Sequence, residues 1–247
     1  MRISEALRRW LFFGWKTARF NGGCGLKFTM LHPTQIPCEL VSPAPLGGWR
    51  GFRLWGWVWF LGLCSSLHLQ AATVVLDPGH GGYDPGGIPR QRFIEKKVTL
   101  EISKLIQARL QAAGHKVIMT RTSDEFVELA DRVDISNAAP YRAVFVSIHC
   151  NSAPNSSAHG IETYHYSSRS QRLAQAIHAR VVAATGEEDR GVRKARFYVL
   201  RNNRRVAVLA ELGFLTNSKE GANLARSARY QQKVASAVVA GIQSVVR

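Results

Sequence analysis

Residues 73–247 read as one three-layer α/β domain, built on a mostly parallel sheet of about six strands with helices on both faces. Two observations predict it. Strand-like and helix-like patterns alternate along this part of the chain, which is how a parallel sheet and its crossover helices are made. Several strand candidates are continuous apolar runs, AVFVSI at 143–148 and VAVLA at 206–210 among them, as expected for strands covered on both faces.

The elements follow in order. Thr73–Leu76 is a strand running into the glycine-rich turn DPGHGGYDPGG at 77–87. Glu95–Ala112 places Val98, Ile102, Leu105 and Ile106 on one helical face, and Gly114 ends the helix. Lys116–Thr120 is the second strand, and Leu129–Ala138 the second helix. Ala143–His149 and Ile161–Tyr164 follow as strands, then Ser170–Ala184 as a helix. Phe197–Leu200 and Val206–Glu211 complete the strands, and Tyr230–Val246 is the last helix. No internal repeat or low-complexity tract interrupts 73–247.

The first 72 residues have a different composition. Arg50 and Arg53 precede an apolar core, Leu54 to Leu63, and the small residues Ala71 and Ala72 close the segment. That is the layout of a secretory signal peptide spanning 49–72, and its core is short of the roughly 20 residues a permanent span needs. The chain is therefore expected to be exported, to the periplasm or cell envelope. Residues 1–48 fall outside that layout and are expected to be an overextended start or a leader removed with the signal. The four cysteines (Cys24, Cys38, Cys64, Cys150) form no CxxC pair, and only Cys150 would remain in the mature chain. From Thr73 onward 25 Lys and Arg face 15 Asp and Glu, a net of about +10. For an exported protein that charge suits an anionic wall or membrane surface, and no nucleic acid.

A glycine loop after a strand often cradles phosphate. Here the pattern fails, because Asp84 stands where a GxGxxG motif needs its final glycine, and no P-loop lysine follows. No nucleotide is expected. Ligands of such folds gather beyond the carboxyl ends of the strands, and three strands end in a chemically useful residue: His80 through the DPGH turn, His149, and Glu211. Glu95, opening the first helix, is the fourth. Two imidazoles and a carboxylate are a common ligand set for a catalytic zinc with one open position, and a further carboxylate is then needed to move protons. Glu211, at the end of an apolar run, would be desolvated unless paired or used. On this reading the glycines let a substrate approach the metal.

The segments DPGHGGYDPGG, IEKKVTLEIS, TRTSDEFVELADRV, FVSIHCNS, GIETYHYS, RGVRKARFYVLR and AVLAELGFLTN follow one another in that order. Together they resemble the zinc-dependent N-acetylmuramoyl-L-alanine amidases of the type-3 amidase family over 73–247. The resemblance implies hydrolysis of the amide between the lactyl group of N-acetylmuramic acid and L-alanine of the peptidoglycan stem. It implies one Zn2+ per chain held by His80, Glu95 and His149, with Glu211 as the catalytic carboxylate. Asn151, Arg121 and Arg193 match family positions and are candidates for substrate binding, while Asp77 is a candidate partner for a ligand histidine. Structural roles are equally open for Arg121, Arg193 and Asp77. The metal set alone fits a zinc peptidase cutting within the stem equally well; the other alternative is an inactive wall-binding module. Some family members carry a helical insertion that blocks the site until an activator removes it. Only SAPNSSAH at 152–159 separates Asn151 from Gly160 here, so an open site on a monomeric chain is expected.

Overall fold

A computed structural model describes residues 71–87 and 92–246; the leader read from the sequence lies outside them, as does the signal peptide except for its last two residues, Ala71 and Ala72. The sheet has six strands: β1 (Thr73–Pro78), β2 (Lys116–Met119), β3 (Val144–Asn151), β4 (Ile161–His165), β5 (Asp189–Lys194) and β6 (Val206–Phe214). Their order is β2-β1-β3-β6-β4-β5. β2, β1, β3 and β6 run parallel, and β4 is antiparallel to β6, with β5 parallel to β4. The central strands have the continuous apolar sequences because both faces are buried.

The two faces are covered unequally. Val74, Leu76, Val144, Val146, Ile148, Val208 and Ala210 point to one face, which carries α1 (Glu95–Ala112), α3 (Ser168–Thr185), α5 (Ser218–Arg226) and α6 (Ala228–Gln243). The alternate residues Val75, Phe145, Ala207 and Leu209 point to the other. That face carries only α2 (Leu129–Ala138) and the one-turn α4 (Tyr198–Arg201). By the same alternation His149 and Glu211 belong to the thinly covered face, one step beyond Leu209 and Ser147.

Two expectations need correction. Phe197–Leu200 is not a strand: Phe197 precedes the helical turn of α4, whose Val199 and Leu200 plug the second core. The fifth strand is Asp189–Lys194, a charged and largely exposed edge segment paired only with β4. α5 is an addition, started by Asn217, whose side chain accepts from the backbone N–H groups of Lys219 and Glu220.

Candidate metal centre and active site

The site begins with the turn after β1. His80 adopts φ 61°, a left-handed conformation uncommon for a residue with a side chain. Two buried arginines hold it there. Arg132 of α2 donates to Asp77 Oδ1 at 2.7 Å, to the Pro78 carbonyl at 2.8 Å and to the His80 carbonyl at 2.8 Å. Arg121, after β2, donates to the carbonyls of Pro78, Gly79 and Lys96, tying the turn to the first turn of α1. Glycine is required twice. A Cβ on Gly79 would lie 2.3 Å from the His149 ring, and one on Gly86 would meet both Glu95 and His80 at 2.6 Å. The turn's glycines therefore make room for the very side chains that gather beside it.

Those side chains are His80, Glu95 and His149, whose ligand atoms all lie within 4.8 Å of one another. Glu95, 3 % exposed, bridges the two rings: Oε2 lies 3.2 Å from His80 Nε2, and Oε1 lies 3.0 Å from His149 Nδ1. The Cys150 backbone N–H also donates to Oε1. His80 Nδ1 donates to Asp84 Oδ2 at 2.7 Å, which fixes the ring with Nε2 facing inward. In the metal-free chain burial alone would raise Glu95, but hydrogen bonds from His149 and His80 bring it to about 2. Burial opposes protonation of His80, yet Glu95 and Asp84 lift it to about 9. Two imidazoles and a carboxylate that converge in this way can hold a divalent cation.

Glu211 sits beside this cluster on the neighbouring strand, in register with His149 at a backbone spacing of about 4.8 Å. Its Oε2 is buried with no hydrogen-bond partner. Burial pushes its carboxyl up to about 7; the positive charge of His149 opposes this, while the negative charges of Glu95 and Glu162 add to it.

The family model described as N-acetylmuramoyl-L-alanine amidase matches residues 74–244. The chain belongs to this family. YqiI of Bacillus subtilis (strain 168), an uncharacterised protein, is 39% identical to the amidase over 202 residues, covering 79% of this chain and 96% of its own. The N-acetylmuramoyl-L-alanine amidase LytC of the same strain is 37% identical over 179 residues, which is 71% of this chain but 36% of LytC. The solved catalytic domain of CwlV, an N-acetylmuramoyl-L-alanine amidase from Bacillus (Paenibacillus) polymyxa var. colistinus, superposes with a TM-score of 0.65 at 36% identity. That match covers 71% of this chain and 99% of the domain.

The four principal residues of the amidase meet in one cleft of about 650 Å³. Asn151 lines it too, with its amide nitrogen donating to Glu162 Oε2 at 3.0 Å. Asp77 lies at the floor of the same cleft, whereas Arg121 and Arg193 do not line it. Arg121 is 1 % exposed, with its guanidinium used up on backbone carbonyls and Thr99, so it braces the turn and cannot meet a substrate. Asp77 contacts no ligand histidine; it accepts from Arg132, Thr120 and Ser147. Arg193 stands outside the cleft, exposed on β5, 3.8 Å from Glu162.

Sequence reasoning passed over Asp84, Arg132 and Glu162. Asp84 carried a signal, four residues after His80 in the same turn. Arg132 carried none: a charged residue within α2 reads as solvated, yet it is buried there. Glu162 stands in register with Glu211 from the other side, 4 % exposed, and accepts from Asn151, Tyr164 and Arg190. The cleft walls are Phe126 and Leu129 before and within α2, facing Phe197 and Tyr198 at α4.

Proposed function

We propose that the amidase hydrolyses the amide between the lactyl group of N-acetylmuramic acid and L-alanine of the stem peptide, with zinc held by His80, Glu95 and His149. The observation that carries this reading is a two-nitrogen, one-carboxylate donor set beside a buried carboxylate oxygen that has no partner of its own. The donor chemistry fits zinc, because three such ligands leave one tetrahedral position free. Bound there, zinc would supply Lewis acidity at the scissile carbonyl and the attacking water.

The protein's own groups do the rest. Glu211, raised towards neutrality, takes a proton from the attacking water as the C–O bond forms, then delivers it to the departing alanine nitrogen as the C–N bond breaks. Asp84 holds His80 in the tautomer that turns Nε2 inward. Glu162 fixes the Asn151 amide at the cleft edge, where it can bind a sugar or peptide group. Phe126, Leu129, Phe197 and Tyr198 offer apolar walls to a bulky sugar–peptide. The basic and apolar stretch at 50–72 supports action outside the cytoplasm, in the cell envelope.

Glu211→Gln tests the assignment. Release of stem peptides from purified peptidoglycan should fall by about 10²–10⁴-fold, the usual contribution of a general base, with zinc still near one per chain. Retained activity overturns the role of Glu211, and lost zinc moves Glu211 among the ligands. Mass spectrometry of the wild-type digest should show free stem peptides beginning at L-alanine. Cuts within the stem would replace this reading with a peptidase.

A further inference from the structure

The opposite end of the sheet carries a second cavity, of about 500 Å³, at the amino ends of β1, β3 and β6. Four arginines line it: Arg142, Arg169, Arg172 and Arg204, all exposed. Among the described residues no acidic side chain lines it. The domain's arginine ion pairs involve Arg132, Arg190 and Arg193, so among the described residues none of these four is paired with a carboxylate. Four cations left unpaired around one hollow repel one another, and a bound anion relieves that.

The hollow is also apolar. Val144, Val206 and Val246 contribute to its lining, and Tyr141 stands at its rim, 76 % exposed. Arg205 packs 5.9 Å from the Tyr141 ring centre while donating to the carbonyls of Asn137 and Ala139, so the tyrosine stands on an anchored support. Exposed tyrosine with arginine over apolar surface is the composition of a membrane–water interface. Ala71, Ala72 and Thr73 lie in the same lining, so the chain enters the domain through this face. The catalytic cleft lies at the other end, five residues further along β3 and so roughly 16 Å away.

We propose that this arginine face docks the domain on an anionic phospholipid bilayer, with phosphate headgroups between the four guanidinium groups and the cleft directed away from the membrane. Arginine's planar fork matches the oxygens of a phosphate group bidentately. The geometry leaves the metal cluster free to meet wall polymer while the domain is held at the lipid surface. Docking of this kind does not depend on which bond the cleft hydrolyses.

The test is flotation of the full chain with phosphatidylglycerol-containing vesicles and with purely zwitterionic vesicles, at low and high salt. The apolar 54–63 stretch serves both vesicle types, so the ratio of the two partition coefficients reports the arginine face. Each arginine near an anionic surface contributes about fivefold, so wild type should favour the anionic vesicles by about 100-fold or more. The fourfold variant Arg142→Gln, Arg169→Gln, Arg172→Gln, Arg204→Gln should lower the ratio by about 100-fold or more, leaving only the preference due to the chain's remaining positive charge, while its hydrolysis of a soluble muropeptide is unchanged. Should it fail to fold, Arg172→Gln and Arg204→Gln singly should each lower the ratio about fivefold. A wild-type ratio near one, or a ratio the variants do not move, overturns the proposal. So does arginine-dependent binding of soluble poly(glycerol phosphate) without vesicle binding, which would reassign the face to a wall polymer.

Discussion

Glu211 combines two conflicting demands in one side chain. Its Oε2 is buried without a partner, and its carboxyl is pushed up to about 7. The folded chain therefore holds this proton more tightly than the unfolded chain, where the value is near 4.5. Stability from that proton is fully present below pH 4.5 and is lost as pH rises through about 7. At alkaline pH the ionised carboxylate costs the metal-free fold up to about 3 kcal/mol, since each tenfold gain in proton affinity is worth roughly 1.4 kcal/mol. Glu211→Gln removes that cost, less about 1 kcal/mol for an amide donor left unsatisfied. In chelator, urea unfolding of the variant should therefore give about 1–2 kcal/mol more stability than wild type at pH 8, and no gain at pH 5. Equal stabilities at both pH values would show that burial does not raise this carboxyl. A carboxylate placed this way sacrifices stability that the fold would otherwise keep, as the proposed role of general base requires.

At the scale of elements, the His80, Glu95 and His149 cluster depends on how β1, α1 and α2 are tied together. Arg132 alone links α2 to Asp77, Pro78 and His80. Lysine keeps the charge but cannot serve three acceptors from one planar fork. Arg132→Lys should therefore weaken zinc about 10–100-fold in competition with a chelator, the usual effect of losing a ligand's support. Arg132→Met should lose about 3–5 kcal/mol of stability as well, because Asp77 is left buried and uncompensated. Unchanged zinc affinity in the lysine variant would show that the turn holds His80 unaided. The sequence displayed the elements whose burial is two-sided: β1, β3 and β6 are apolar runs that no surface segment imitates. It hid β5, because an edge strand with one neighbour can be written DRGVRK. It disguised α4, because a short apolar run such as FYVL carries no periodicity to separate a strand from one buried helical turn. The four clustered residues were legible because each lies at or near the carboxyl end of an apolar strand run or opens a helix. Arg132 and Glu162 were not, since a charged residue in a helix or strand reads as solvated until its neighbours in space are known.

For the whole molecule, the unequal coverage of the sheet decides access to the site. Four helices cover one face, and the site lies towards the carboxyl ends of the strands on the face with two short ones, where α2 and α4 line a cleft beside His149 and Glu211. The segment best placed to close the cleft is 152–159, between β3 and β4. It is eight residues long and held away from the opening: the Ala153 N–H donates to Thr216, and the Asn217 side chain donates to the Ser156 carbonyl. Of this segment only Ser152 lines the cleft. A blocking helix needs several turns of about 3.6 residues plus connections at both ends, and eight residues pinned at two points cannot supply it. The zinc-loaded chain should therefore release stem peptides from purified peptidoglycan by itself, at a rate that added cell-envelope extract from a strain lacking this protein does not raise beyond the sum of the two. Chelator should abolish that release and zinc should restore it. A chain that carries one zinc yet stays silent until the extract is added would mean that some part of it covers the cleft, and removal of residues 1–72 would then be the next variant to measure.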